Sequence, residues 1–305
     1  EDVRRLTFGI LDEEQKRHFL AHHDLDFAYS VPQVGRFRVN LFMQRGAVSM
    51  AARRVNTQVP TFESVHLPPV FKKIAGYQQG LALVCGITGS GKSTTLAAVI
   101  EYINTTQRVH IVTIEDPIEY LYRDKKSFIN QREIGIDVKD FRTALKAVVR
   151  QDPDVILVGE MRDPETFEAG LLASETGHLV FGTLHSSTVA QTFGRVLDMF
   201  PADREALIRH SLAFNLRAIV CQKLLPSIVP GADRVPLCEI MVTTPTIQKL
   251  IREGEDKKIG DAIRGGEEEG MQDFTQGLVK MINAGMISKK VGFAYAPNPE
   301  ALKMR

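Results

Sequence analysis

The sequence predicts an α/β protein in which a small N-terminal domain precedes a larger domain with a mostly parallel sheet. Three observations predict this class. From about residue 70, short apolar segments alternate along the chain with longer amphipathic ones. A glycine-rich loop joins one of the apolar segments to the amphipathic segment that follows it. The 305 residues are also too many for one average domain. Such alternation implies parallel strands with helices on both faces.

The composition is that of an ordinary globular protein, with 44% hydrophobic and 25% charged residues. The 38 basic and 37 acidic side chains nearly cancel, so we expect no direct nucleic-acid partner. The apolar runs are a few residues long, whereas a membrane-spanning helix needs roughly 20, so we expect no transmembrane segment. The sequence begins with Glu1 and shows no export signal, and we therefore expect a cytoplasmic protein.

The cysteines Cys85, Cys221 and Cys238 are odd in number, widely spaced and surrounded by apolar residues. This pattern favours reduced core side chains over a disulfide framework or a zinc site. We expect all three thiols to be buried and free, because an unpaired cysteine packs as a small hydrophobe.

Residues 1–58 are predicted to form the small α/β domain. A helical pattern covers residues 12–23, and residues 36–43 alternate between apolar and polar side chains as a strand does. The residues that follow are polar and contain three prolines, which favours an extended connector over a helix. We place the linker at residues 59–69 and the larger domain at residues 70–305.

The larger domain is predicted element by element from its alternating pattern. The predicted strands are 81–85, 109–114, 155–158 and 179–184. The predicted helices are 92–103, 141–150, and one that Asp163-Pro164 can start and Gly177 can end. From about residue 245 the chain is charged and helical, with one apolar face formed by Phe274, Leu278, Met281 and Ile282.

Residues 86–93 read GITGSGKS and match the phosphate-binding pattern G-x-x-x-x-G-K-[ST]. In this pattern the glycines let backbone N–H groups converge on phosphate oxygens, the lysine reaches the β- and γ-phosphates, and the hydroxyl binds Mg²⁺. The helix that follows adds its positive N-terminal end. We therefore predict that the loop binds ATP, with Mg²⁺ held through Ser93. The predicted nucleotide contacts are Gly86, Thr88, Gly89, Ser90, Gly91, Lys92, Ser93 and Thr94.

An acid follows the strand predicted at residues 155–158, which is where a phosphate-loop protein keeps its water-positioning or Mg²⁺-linked carboxylate. Gly159 stands where the usual Asp would be, so Glu160 is the acid at this strand end. We assign Glu160 the general-base or water-orienting role and a contact to the metal. The alternative is a solvated strand-end carboxylate.

Glu115, Asp116 and Glu119 follow the strand predicted at residues 109–114. Ligands of parallel α/β sheets bind beyond the carboxyl ends of the strands, so this acidic cluster should face the same crevice. Glu115 is our first choice for a contact to the metal or the attacking water. For Asp116 and Glu119, a structural role in capping or loop bonding is the alternative.

Two histidines flank the strand predicted at residues 179–184, with His178 before it and His185 after it. They lie at opposite ends of the strand and need not act together. His185, at the carboxyl end, is placed to sense the γ-phosphate or to pass its presence to a neighbour. The alternative for each is a hydrogen-bonded structural histidine.

These motifs, in this order, resemble the secretion ATPase superfamily of type II and type IV secretion and type IV pili. Within it the chain is similar to the PilT-type retraction ATPases, also called twitching motility ATPases. Pilus-extension and type II secretion motors usually carry a four-cysteine zinc module, and the absence of any C-x-x-C here favours retraction. The matching segments are residues 38–40, the phosphate loop, the acidic box 114–117, the strand end 155–160, the histidine box and residues 216–219.

The resemblance implies a PAS-like fold for the N-terminal domain, a RecA-like fold for the larger domain and a ring of six subunits. It also implies that Arg38 and Arg53 reach the γ-phosphate when the two domains close, where a guanidinium stabilises charge on the transferring phosphoryl group. Strand-surface charge is the alternative for these two residues. Arg195 matches a sensor or intersubunit arginine of the family.

The function that the resemblance implies is a hexameric ATPase whose hydrolysis of ATP drives type IV pilus retraction, and with it twitching motility. Such a motor acts at the cytoplasmic face of the bacterial inner membrane, on a platform protein of the pilus. Three alternatives are left. They are a pilus-assembly or type II/IV secretion ATPase, a RecA-like nucleic-acid motor, which the neutral net charge disfavours, and a non-hydrolysing nucleotide switch, which Glu160 disfavours.

Overall fold

The computed structural model of the protein describes residues 2–303, which divide into two compact units. The first unit contains the chain up to Val59 together with Pro117–Tyr122. The second contains Pro60–Asp116 and the chain from Arg123 onward. A six-residue segment therefore belongs to the first unit although its neighbours in sequence on both sides belong to the second.

The first unit is built on an antiparallel sheet with the strand order β1-β2-β3. Its elements are α1 (Asp2–Phe8), α2 (Glu13–His22), β1 (Asp24–Val31), β2 (Gly35–Gln44) and β3 (Ala47–Arg54). Asp12 caps α2, because its carboxylate accepts from the Gln15 N–H while the Gln15 side chain accepts from the Asp12 N–H. The core of the unit forms around Phe19 on α2 and around Val39 and Leu41 on β2.

The segment Pro117–Tyr122 pairs with the chain just after β3. The Asn56 N–H donates to the Glu119 carbonyl oxygen at 3.2 Å, and the Leu121 N–H donates to the Asn56 carbonyl oxygen at 3.0 Å. These bonds form a parallel bridge between Asn56 and Tyr120. The Glu119 backbone therefore has a structural role in the first unit. The PAS-like fold of this unit stays a prediction.

Within residues 2–303, the second unit contains a seven-stranded sheet with the order β10-β9-β4-β8-β7-β5-β6. Its strands are β4 (Gly80–Cys85), β5 (His110–Glu115), β6 (Phe128–Glu133), β7 (Val155–Val158), β8 (Leu179–Leu184), β9 (Leu216–Pro226) and β10 (Arg234–Val242). All neighbours from β9 to β6 run parallel, and β10 runs antiparallel to β9. Every residue of β4, β7 and β8 is buried, as expected of covered parallel strands. The predicted α/β class with a mostly parallel sheet is confirmed.

The helices of the second unit alternate with these strands and then accumulate after β10. They are α3 (Val70–Ala75), α4 (Lys92–Thr106), α5 (Phe141–Val148), α6 (Pro164–Glu175), α7 (Val189–Leu197), α8 (Glu205–Asn215), α9 (Pro245–Glu253), α10 (Ile259–Gly265), α11 (Phe274–Asn283), α12 (Lys289–Tyr295) and α13 (Pro299–Lys303). The helical C-terminal part is thus confirmed, and Phe274, Leu278 and Met281 of its predicted apolar face are buried. No helix within residues 2–303 has both the length and the apolar character that crossing a bilayer requires.

The structure corrects several local predictions. Strands β6, β9 and β10 were not predicted. Strand β6 is a polar edge strand with Phe128 exposed, and polar residues such as Lys223 and Glu239 interrupt the apolar runs of β9 and β10. The helix predicted at 141–150 ends at Val148. Helix α4 runs on to Thr106, three residues beyond its predicted end.

The three thiols and the predicted connector also have defined places. All three cysteines are buried and free, as predicted.

Within the connector predicted at residues 59–69, Phe62 is 4% exposed and its ring lies against those of Phe71 and Tyr102. This part of the connector is therefore packed into the second unit.

Candidate nucleotide site

The phosphate loop joins the buried strand β4 to helix α4, as predicted. Gly86 and Gly91 both have positive φ values, of 153° and 89°, a region that favours glycine. A Cβ atom on Gly86 would lie 2.7 Å from the Gln222 carbonyl oxygen, and one on Gly91 would lie 2.8 Å from Gln222 Nε2. Conformation and space therefore both require glycine at these two positions.

The Lys92 ammonium and the Ser90 hydroxyl are two polar side-chain groups of the loop whose surroundings are defined. Lys92 Nζ donates to the carbonyl oxygens of Gly86 at 2.8 Å and of Ile87 at 3.3 Å, which brings the ammonium to the loop itself. Ser90 is 3% exposed, and within the described chain its hydroxyl has no hydrogen-bond partner. A buried hydroxyl left without a partner fits a site that receives an external acceptor. The residues present therefore fit a nucleotide phosphate.

Gln222 on β9 is a member of the site that the sequence analysis missed. Its side chain is buried, and its amide bonds to Ser90 in the loop and to Thr95 on α4. The sequence signal that could have pointed to it is a glutamine within the mainly apolar segment 216–225. A buried amide of this kind needs partners and therefore marks a specific contact.

The predicted chemical groups meet because their strands are neighbours. The phosphate loop follows β4, His185 follows β8, Glu160 follows β7 and Glu115 ends β5, and these four strands are adjacent in the order β4-β8-β7-β5. The strands are parallel, so all four groups lie at one edge of the sheet, where ligands of α/β proteins bind. His178 lies at the opposite end of β8, where its Nδ1 contacts the Ala173 carbonyl oxygen at 2.8 Å. That contact supports the structural alternative for His178.

Both carboxylate oxygens of Glu160 have a partner. Oε1 lies 3.0 Å from His185 Nε2, and Oε2 accepts from Arg162 Nη2 at 2.6 Å. Burial alone raises the pKa of Glu160, but the Arg162 hydrogen bond and the charges of Arg162, His185 and Lys92 outweigh burial and hold it below the usual value. Glu160 is therefore a charged, oriented acceptor at neutral pH, although its catalytic role stays a prediction.

The His185 imidazole is neutral at neutral pH. Burial and the positive charges of Lys92, Arg162 and Arg195 lower the pKa of His185, and they outweigh the opposite effect of Glu160. A neutral ring with a carboxylate 3.0 Å from Nε2 carries its proton there and donates it to Glu160. The structure thus makes His185 a partner of Glu160, while the predicted sensing of the γ-phosphate stays a prediction.

A pH dependence of stability follows from this imidazole. The pKa of His185 is lower in the folded chain than the usual 6.5, so the unfolded chain binds the proton first as the pH falls. The stability associated with this group is therefore complete above pH 6.5 and is lost as the pH falls toward the folded pKa. We expect the melting temperature of His185→Gln to fall less than that of the wild type when the pH is lowered from about 7.5 to 5.5. Equal losses in thermal unfolding would contradict the neutral imidazole.

Glu115 and Gly159 lie side by side where β5 and β7 end. Glu115 is 9% exposed, and its Oε1 accepts from Thr113 Oγ1 at 2.7 Å and from Gln131 Nε2 at 3.3 Å. A Cβ atom on Gly159 would lie 3.3 Å from both the Glu115 Cα and the Ile114 carbonyl oxygen. A side chain at position 159 would therefore be crowded by the backbone at the end of β5.

The remaining acidic residues do not complete a metal site by themselves. Asp116 lines an open cavity of about 470 Å³ together with the first turns of α5 and α6. Across residues 2–303, no group of three or more histidine, cysteine or carboxylate side chains could hold a metal ion. Hydroxyl and carboxylate oxygens are nevertheless the ligands that Mg²⁺ prefers, usually with substrate phosphates. A Mg²⁺ ion held through Ser93, Glu115 and Glu160 stays a prediction.

The predicted arginines occupy defined surfaces. In the first unit, Arg38 on β2 lies directly opposite Arg53 on β3, so the two side chains share one face of the sheet. Both are exposed, and among the described residues neither has an ion-pair partner. Like charges directly opposite each other are unfavourable in a sheet, which suits a face that receives an anion. Arg195 is exposed on α7, and its charge acts on His185.

Comparison with known proteins shows the family of the chain. Residues 66–257 match the family described as Type II/IV secretion system protein. The Pseudomonas aeruginosa type IV pilus retraction ATPase PilT is 43% identical over 98% of this chain and 87% of its own length. A Neisseria gonorrhoeae twitching motility protein is 42% identical over 99% of this chain and 80% of its own.

A solved structure extends the similarity to three dimensions. The crystal structure of the pilus retraction motor PilT with bound ADP superposes with a TM-score of 0.92. It is 42% identical and covers 100% of this chain and 86% of that chain. The chain therefore belongs to the Type II/IV secretion system protein family and is PilT-like within it.

Proposed function

We propose that this chain is an ATPase whose hydrolysis of ATP drives the retraction of type IV pili. The observation that carries the proposal is the single sheet edge where the phosphate loop meets the oriented Glu160 carboxylate. Similarity to pilus retraction proteins over nearly the whole chain supports the biological role. The PilT structure with bound ADP supports the class of ligand.

In the proposed reaction, the loop and Lys92 hold the phosphates of ATP. Ser93, Glu115 and Glu160 would hold Mg²⁺, and the bound ion would supply charge neutralisation to the phosphates of ATP. Glu160 orients the attacking water and accepts its proton. His185 and Arg162 each hold one oxygen of the Glu160 carboxylate and so fix its direction.

The arginines complete the proposed mechanism. Arg38 and Arg53 act on the γ-phosphate, where planar guanidinium groups stabilise the charge of the transition state. Arg195 contributes as a sensor or as a contact between subunits. Hydrolysis turns one domain against the other about the start of the predicted connector 59–69, before its packed residue Phe62, in a ring of six subunits. The ring acts at the cytoplasmic face of the inner membrane on the pilus platform protein.

Deletion of the gene tests the direction of force. We expect deletion cells to carry excess surface pili and to lose twitching, because pili still assemble but are not withdrawn. The wild-type gene should restore motility, and a Glu160→Gln gene should not. Cells without pili would contradict retraction and indicate an assembly motor. Unchanged piliation and motility would contradict any pilus function of this chain.

A further inference from the structure

Gln222 reaches the phosphate loop from a strand far away in sequence. It is 2% exposed and lies on β9, next to Cys221, which is in register with Cys85 at the end of β4. Gln222 Nε2 donates to the Ser90 carbonyl oxygen at 2.7 Å. Gln222 Oε1 accepts from Thr95 Oγ1, also at 2.7 Å. One side chain therefore connects the loop to the first turns of α4.

The orientation of the Gln222 amide follows from its partners. A backbone carbonyl can accept but cannot donate, so the amide nitrogen must face Ser90. The amide oxygen then faces Thr95, whose hydroxyl can donate. Both bonds lie in a buried region, where a group that loses its partner cannot bond to water instead.

Anchoring the Ser90 carbonyl also directs the next backbone N–H. The Ser90 carbonyl and the Gly91 N–H belong to one planar trans peptide, so they point in opposite directions. Because Gln222 holds the carbonyl, the Gly91 N–H points away from β9. The Gln222 side chain also lies so close to Gly91 that no Cβ atom fits there.

We propose that Gln222 is a positioning residue for nucleotide binding, which fixes the Ser90–Gly91 peptide so that the Gly91 N–H is directed at the phosphates. This inference rests on the proposed function in that the loop must bind a nucleotide. In this proposal Gln222 acts through its contact with the loop and not by a contact with the ligand. Its loss should therefore weaken the affinity for the nucleotide more than it weakens the fold.

Gln222→Met tests the proposal, because methionine retains the length of the side chain and removes both hydrogen bonds. The matched control is Gln272→Met. Gln272 is 6% exposed, and its Nε2 also donates to a backbone carbonyl oxygen of the second unit, that of Cys238 at 2.9 Å, without touching the loop. We expect Gln222→Met to weaken ADP binding about tenfold or more in calorimetry of the full chain, and Gln272→Met to bind as the wild type does.

Thr95→Val provides a second test, which can be made even if Gln222→Met does not fold. It removes one of the two bonds, so we expect about threefold weaker ADP binding. Adding Thr95→Val to Gln222→Met should change the ADP affinity little, because the bond between Thr95 and Gln222 is already absent. Wild-type affinity in Gln222→Met or, if that variant does not fold, in Thr95→Val would overturn the proposal. An equal loss of affinity in Gln272→Met would also overturn it. If neither the wild type nor Gln272→Met binds ADP, the proposed function itself is contradicted.

Discussion

A variant in which Arg38 and Arg53 are both alanine is expected to bind ATP as the wild type does and to hydrolyse it at least about 10³-fold more slowly. The physical reason is that a guanidinium at the γ-phosphate acts on charge that develops in the transition state, whereas the loop and Lys92 hold the ground state. Both side chains are exposed and lie opposite each other, so their removal leaves the core of the first unit intact. Single-turnover hydrolysis by the wild type and the double variant, compared in the same oligomeric state, measures the effect.

The Arg45→Asn variant is a matched control for this double substitution. Arg45 is exposed at the tip of the same β2–β3 hairpin, and asparagine tolerates its positive φ of 49°. The control should hydrolyse ATP as the wild type does. Arg38→Lys should rescue little, because an ammonium cannot reproduce the planar fork. If the double variant hydrolyses ATP at the wild-type rate, Arg38 and Arg53 have no role in hydrolysis and only supply charge on the strand surface.

Much of the site could be predicted from the sequence because each chemical group directly follows its strand in the chain. A phosphate-loop motif specifies both residue types and the strand–helix junction around them. Glu160 and His185 could be found in the same way, since acids and histidines after buried strands collect at one sheet edge. Glycine at position 159 also suits the close approach of the Glu115 backbone.

The contacts between distant segments could not be predicted in this way. Gln222 is 127 residues from Thr95 in sequence and 132 from Ser90, and it meets them because β9 pairs with β4. Strand order is a tertiary property that periodicity does not contain. The same holds for Pro117–Tyr122, which leaves the second unit directly after Asp116 and pairs with Asn56 in the first.

The pairing of Glu160 with Arg162 and His185 shows a further limit of sequence reasoning. Arg162 follows Glu160 by two residues and carries no motif signal of its own, yet it contacts one carboxylate oxygen at 2.6 Å. His185 could be placed at the right edge but not assigned to the other oxygen. Side-chain direction in a loop after a strand depends on the neighbouring strands, and these are known from the fold alone.

Glu160→Gln is expected to keep nucleotide binding and to lose hydrolysis by about 10² to 10⁴-fold. The amide retains the shape of the side chain and an oxygen that can accept from His185. It cannot accept the proton of the attacking water, and it carries no charge for Arg162 to balance. Lys92→Ala serves as the opposite control, because it removes the cation of the loop and should weaken binding along with activity.

Single-turnover hydrolysis by Glu160→Gln beside the wild type, with ATP binding measured by calorimetry on the same preparations, tests the central claim most directly. We expect equal ATP affinity for the two proteins and hydrolysis at least about 100-fold slower in the variant. Wild-type hydrolysis in Glu160→Gln would contradict the account and move the base to Glu115. Absence of ATP hydrolysis by the wild-type protein would contradict the proposed ATPase itself.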